Sequence, residues 1–345
     1  MRSRDSVHAL PSAQGVHEAA ERLRPHLAST PLMLSETLSK AYQCEVFLKM
    51  EMISPIGSFK LRGALNCILA QDHASDLIVA SSTGNHGQGV AYAARLLGRR
   101  CRIFLPSNPN PMKLSKIRLL GAEVSVGGSD GDDAKALAKE FCTGIDALFV
   151  DDGEDKFVIE GAATVGLQIG SALNRIDMVF VPMGGGVLAA GTALGVKIEH
   201  PGARVIGVQP SQAPSMFESF IAKSAVTRPV RTEIESLAQG VPARLTLETV
   251  LRHIDDIVLA SDDELFSGAK TLALAAHLLV EPGAAAGLIG LSRLGSRLPR
   301  NARVVLVLSG ANLDSRNFDR LAASTVLETA ADVGREIDGM AGGLG

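Results

Sequence analysis

Short apolar runs alternate with longer amphipathic ones along nearly the whole chain, and that alternation limits the possible folds more than any other feature. Strands are predicted at 46–50, 77–80, 101–105, 123–126, 148–150, 178–181, 205–208, 257–259 and 304–308. Several are unbroken Val/Ile/Leu runs, the pattern of strands covered on both faces. Between them lie helical patterns at 88–97, 112–120, 132–141, 158–173 and 262–279. Such alternation argues for parallel α/β sheets. Gly98 and Gly121 each follow a helical run, as C-terminal caps do.

At roughly 150 residues per domain, 345 residues suggest two domains. No low-complexity linker divides the chain, so a second domain is expected as an insertion. The boundaries expected are 1–72 with 154–330 for a large domain and 73–153 for a small one. The Gly- and Ala-rich end, 331–345, is expected to fray.

Composition excludes several function classes. The net charge of -3 argues against nucleic-acid and membrane-surface binding. Without tryptophan and with 4% aromatic residues, base-stacking platforms are not expected. Cys44, Cys67, Cys101 and Cys142 form no C-x-x-C pair, which reads as packed thiols in a cytoplasmic protein. The polar start Met1-Arg2-Ser3-Arg4-Asp5 lacks a signal peptide's apolar stretch. Residues 178–196 carry no charge, which raises a membrane span, but Pro182 and Gly184-Gly185-Gly186 interrupt them. They read as a buried strand, a glycine turn and a helix.

Five segments carry chemistry. In Gly57-Ser58-Phe59-Lys60, a lysine opens a predicted helix that runs to about residue 69. It is either a solvated charge or an amine that burial and the helix's positive end ease toward its neutral form, as imine chemistry needs. Ser82-Thr83-Gly84-Asn85-His86 follows a predicted strand, where backbone N–H groups converge to make either an ordinary turn or an anion site. Gly184 to Ala189 fits a phosphate cradle and also G-x-G-x-x-A. A dinucleotide site would want an acid near the end of the next strand, which ends at Gln209 instead. Ser309 stands at a strand's carboxyl end, where open α/β sheets bind ligands. Glu281, ahead of Pro282-Gly283, reads either as a helix start or as a site acid.

Taken in this order, the five segments resemble the serine/threonine dehydratase family over residues 15–320. These are pyridoxal-phosphate enzymes of fold type II, related to tryptophan synthase β chains. The resemblance implies two open, twisted, mostly parallel sheets flanked by helices, a small domain that closes on substrate, and a homodimer. It implies that Lys60 carries the cofactor, with Phe59 beside the ring and Asn85 bonded to the phenolic oxygen. Ser82, Thr83, Gly84, Asn85 and His86 would grip the substrate carboxylate. Gly184, Gly185 and Gly186, with Val187 and Leu188, would cradle the phosphate. Ser309 would face the pyridine nitrogen, Gly240 would line the site, and Glu281 would stand behind the contacting residues.

Three departures qualify the resemblance. Val187 stands where relatives often carry a fourth glycine. Gln209 and Ser215 replace two acids that hold a divalent cation in many relatives, so no metal is expected. No amino-acid-binding regulatory domain is expected after the core. The implied activity is an ammonia-lyase that converts an L-β-hydroxy amino acid to a 2-oxo acid and ammonia. Threonine and serine are the default substrates, with 3-phenylserine and 3-hydroxyaspartate as larger ones. An amino-acid racemase and a non-catalytic amino-acid-binding protein are the alternatives. The racemases carry serine where this chain has Thr83, whose β-branch restricts its hydroxyl.

Overall fold

The computed structural model describes residues 9–71, 76–109, 111–299 and 301–328. The expected frayed tail lies outside the described residues, as does the expected boundary at 72–73. Ten strands are formed among the described residues: β1 (Leu32–Leu34), β2 (Glu45–Met50), β3 (Leu77–Ser81), β4 (Arg100–Leu105), β5 (Glu123–Val126), β6 (Ala147–Phe149), β7 (Met178–Pro182), β8 (Arg204–Pro210), β9 (Asp256–Ala260) and β10 (Arg303–Leu308). The first seven helices are α1 (Ala13–Leu23), α2 (Glu36–Tyr42), α3 (Lys60–Ala70), α4 (Asn85–Leu96), α5 (Pro111–Leu119), α6 (Gly131–Thr143) and α7 (Lys156–Ala172). They are followed by α8 (Val187–Glu199), α9 (Ser215–Ala222), α10 (Arg244–His253), α11 (Asp262–Ala275), α12 (Ala286–Leu294) and α13 (Ser315–Ala323).

The strands make two sheets, ordered β1-β2-β10-β7-β8-β9 and β5-β4-β3-β6. Every pairing is parallel except β1 with β2, which is antiparallel at an edge. The chain is therefore α/β with two mostly parallel sheets, as expected. Alternate residues of β10 explain its unbroken apolar run. Val304, Leu306 and Leu308 pack toward Phe180, Phe266 and Leu288, whereas Val305 and Val307 pack toward Val179 and Leu188 on the other face. Both faces of the central strand are dry, so both residue parities must be apolar.

The uncharged stretch 178–196 is β7, a glycine loop and most of α8. Gly195 lets α8 lie directly on α7, since a Cβ there would stand 2.1 Å from the carbonyl oxygen of Ala163. The stretch is apolar because protein surrounds it. No helix among the described residues is long and apolar enough to cross a membrane.

Two elements differ from expectation. The short edge strand β1 is not visible in the sequence pattern, because three residues after Pro31 are too few to show a period. The helix expected over 262–279 ends at Ala275. His277 turns into the left-handed region at φ 56°, and the N–H of Leu278 donates back to the carbonyl of Leu272 at 3.2 Å. The Leu272 carbonyl also accepts the Ala276 N–H at 3.0 Å, so the bond from Leu278 is a second one that folds the chain back over the helix end. Gly98 and Gly121 close their helices at φ 66° and 87°, as glycine caps do.

Candidate active site

The carboxyl ends of β3, β7 and β10 and the N-terminal ends of α3, α4 and α8 surround a cavity of about 660 Å³. Phe59, Lys60, Ser82, Thr83, Gly84, Asn85, His86, Gly184, Gly185, Gly186, Val187, Leu188, Glu281 and Ser309 all line it. Gly240 does not. Its neighbours Leu237, Ala238 and Gln239 form the wall, and its carbonyl accepts the N–H of Arg228 at 2.8 Å.

Lys60 is held from both sides of the fold. The Phe59 N–H donates to the carbonyl of Ser309 at 3.0 Å, and Ser58 bridges Gly310. The hydroxyl of Ser54 accepts the Ser58 N–H at 2.8 Å and donates to the Ser58 carbonyl at 2.6 Å. The lysine at the start of α3 is thereby fastened to the end of β10. Its Nζ lies 5.0 Å from the centre of the Phe59 ring and donates to Asp152 Oδ2 at 2.5 Å.

The 82–86 turn joins β3 to α4. The Ser82 hydroxyl accepts the Gly84 N–H at 3.1 Å and so shapes the turn. His86 is buried, with Nε2 3.1 Å from the Val150 carbonyl and Nδ1 3.5 Å from Asp152 Oδ1. Burial, opposed by the charge of Asp152, holds the imidazole below its ordinary pKa. Burial alone would push the Asp152 carboxyl up, but Lys60 and His86 outweigh it and hold the group below the usual carboxylate range.

Asn85 donates to both carboxylate oxygens of Glu281, at 3.2 and 3.3 Å. Asn312 donates its amide to Asn85 Oδ1 at 2.8 Å and its backbone N–H to Glu281 Oε2 at 3.2 Å. Burial raises the Glu281 pKa against the pull of Asn85, Ser236 and Asn312. This network fixes the direction of the Asn85 side chain at the cavity wall.

The loop before α8 fits a phosphate on two counts. First, Gly186, at φ 95°, begins the helix without a side-chain cap. The first-turn N–H groups therefore lack a side-chain partner, and an anion satisfies such groups and the helix dipole together. Second, two of its three glycines resist a side chain: a Cβ on Gly184 would meet Leu237 Cα at 2.8 Å, and Gly186 stands in the left-handed region at φ 95°.

The two positions where relatives were expected to carry cation-binding acids are otherwise engaged. Gln209, fully buried, accepts the Phe217 N–H at 2.8 Å and donates to the Gly184 carbonyl at 3.3 Å. Ser215 donates to the carbonyl of Gln239 at 2.7 Å. Among the described residues, no group of three or more His, Cys, Asp or Glu could hold a metal. The four cysteines are free thiols, and burial pushes Cys44 up to about 11 and Cys101 up to about 12.

Asp152 and Asn312 were not singled out from the sequence. Asn312 stands inside a segment noted for Ser309. Asp152 belongs to Asp151-Asp152-Gly153-Glu154 after β6, an acidic loop without a motif. Only the approach of that loop to Lys60 makes it part of the site.

Comparison with known proteins agrees with this geometry. Residues 23–310 match the family described as pyridoxal-phosphate dependent enzyme. The chain is 34% identical over 314 residues to an L-threonine ammonia-lyase of Thermotoga maritima, covering 89% of this chain and 77% of that protein. It is also 34% identical over 308 residues to an L-threonine ammonia-lyase of Geobacter sulfurreducens, covering 88% and 76%. Among solved structures, the processed form of threonine deaminase isoform 2 from Solanum lycopersicum matches with a TM-score of 0.82 and 27% identity, over 92% of this chain and 96% of that one. Maize serine racemase matches with a TM-score of 0.83 and 26% identity, over 91% and 98%.

Proposed function

The chain belongs to the pyridoxal-phosphate-dependent enzyme family, and within it we propose an ammonia-lyase that acts on an L-β-hydroxy amino acid, threonine or serine first. One observation carries this reading. Lys60 faces a cavity whose other walls are the uncapped N-terminus of α8 and the 82–86 turn. An amine, a phosphate site and a carboxylate site thus share one enclosure.

The same reading assigns each residue a role. Lys60 would carry the cofactor and, as a free amine, would take the substrate's α-proton. The N–H groups of Gly184, Gly185, Gly186, Val187 and Leu188 hold the phosphate. Asn85, kept in place by Glu281 and Asn312, would bond the cofactor's phenolic oxygen, and Ser309 would face its nitrogen. Ser82, Thr83, Gly84 and His86 receive the substrate carboxylate. When bound, pyridoxal phosphate supplies the electron sink for the pair left at the α-carbon. Loss of the β-hydroxyl as water would leave an enamine, whose imine tautomer adds water and releases a 2-oxo acid and ammonia.

The wider assignments belong to the same reading. Residues 1–72 and 154–330 form the cofactor-binding domain, and 73–153 form a small domain that closes on substrate. The separate sheet of β3 to β6 supports that division. The enzyme works as a cytoplasmic homodimer, whose size sedimentation would measure.

Elimination is proposed to exceed racemisation. Return of a proton from the other face needs a second acid, and the residue placed for it is Thr83, whose β-branch limits its rotamers. The test supplies L-threonine and L-serine in deuterium oxide and follows 2-oxo acid alongside chiral chromatography. Rapid 2-oxo acid with little α-epimer is expected. Epimer formed as fast as 2-oxo acid would overturn the reading in favour of a racemase.

A further inference from the structure

Asp152 has a buried half and a working half. Oδ2 accepts from Lys60 Nζ at 2.5 Å. Oδ1 faces His86 Nδ1 at 3.5 Å, and both atoms are buried without a hydrogen-bond partner among the described residues. A carbonyl only accepts, so His86 Nε2 carries a ring proton and donates to Val150. Nδ1 and Oδ1 stand opposite each other at 3.5 Å, an ion pair when the ring is protonated. Two buried polar atoms left facing one another without a hydrogen bond are an unusual arrangement, because buried polar atoms are nearly always paired. The neighbouring carboxylate, Asp151, is taken up by Lys135 and Lys139 at 2.8 and 3.0 Å. In the described structure the cation that Asp152 meets at bonding distance is Lys60.

We propose that Asp152, backed by His86, is a positioning residue for Lys60: its carboxylate pairs the positive charge that the lysine nitrogen acquires on taking the substrate's α-proton. The inference rests on Lys60 being the base, as proposed above. In that step the Cα–H bond breaks and an N–H bond forms on Lys60, while the electron pair left on the α-carbon passes into the bound cofactor. A neutral amine becomes an ammonium inside a cavity. A carboxylate already standing at the nitrogen stabilises that charge with little rearrangement. Asp152 touches Lys60 and not the reacting carbon in this account, so its removal should slow proton removal without weakening substrate binding.

The experiment compares wild-type holoenzyme with D152N and D152E. L-Threonine is scored by release of 2-oxo acid. L-Alanine, which has no leaving group, is scored in deuterium oxide by loss of its α-proton signal. D152N should lower kcat on threonine and exchange on alanine together, by about ten- to a hundredfold, the effect of one charge-assisted hydrogen bond. KM should stay within about threefold by the same argument. The visible circular dichroism of the bound cofactor, which needs no turnover, should change in D152N and return part-way in D152E. The proposal is overturned if D152N keeps both rates within about twofold. It is equally overturned if KM rises while kcat holds, or if both variants lose cofactor or fold. Wild-type enzyme that exchanges alanine but releases no 2-oxo acid would sink the ammonia-lyase reading alone, and the exchange rates would still decide the role of Asp152.

Discussion

Lys60 is legible in the sequence only because of its neighbours. A lysine after Gly57-Ser58 could be a surface charge, and what separates it from one is the hydrogen bond from Phe59 to Ser309 and the ion pair with Asp152. Both partners are distant in sequence, Ser309 by most of the chain. On the proposed roles, replacing the lysine would remove the cofactor's attachment and the base together. Lys60→Ala should therefore abolish 2-oxo acid release and leave a folded protein without a borohydride-sensitive cofactor band. Residual turnover above a few per cent of wild type would move the attachment to another lysine. Asn85 shows a different limit. Its place in the turn could be read from the sequence, but its orientation depends on Glu281 and Asn312, which come from the far end of the chain.

Helix and strand ends hold most of what positions the site. β8 runs into α9 through Gln209 and Ser215, which brace the cavity wall by bonding the carbonyls of Gly184 and Gln239. Amide and hydroxyl groups occupy the ground where a cation would need several oxygen ligands. A chelator should accordingly leave the ammonia-lyase rate within about twofold, and a loss restored by Mg²⁺ would reveal another ligand set. At the start of α11, Ser261 and Glu264 form a reciprocal cap, and Arg293 pairs with the same glutamate at 2.7 Å. Ser261→Ala should lower stability by about 1 kcal/mol in denaturant unfolding, with activity unchanged. The same helix shows why boundaries elude a periodic pattern. The apolar residues continue past Ala275, but the backbone leaves the helix at His277 because a left-handed residue lets Leu278 close the end.

The joining of α1 to the rest of the protein carries a pH dependence. Glu160, on α7, accepts the Ser12 N–H at 3.3 Å, and its other oxygen is buried without a partner among the described residues. Burial pushes its carboxyl up to about 6. A carboxyl raised on folding favours the protonated native state. Its contribution to stability is therefore fullest below the ordinary carboxylate range and is lost as pH rises through about 6. Glu160→Gln should raise stability by roughly 1 kcal/mol at pH 8 and change little at pH 4. Unfolding curves at the two pH values would check it, and equal effects at both would exclude ionisation as the cause.

Strand positions, sheet class and the five site segments were open to inspection because they depend on local order. Period and burial write the strands, and backbone geometry at phosphate and carboxylate sites demands small residues in a row. The strand order β1-β2-β10-β7-β8-β9 was not legible, since parallel pairing joins segments as far apart as β2 and β10 through crossovers of any length. Asp152 escaped for the same reason. A carboxylate acquires a role from the charge it meets, and Lys60 reaches it only when the β6–α7 loop folds against the start of α3.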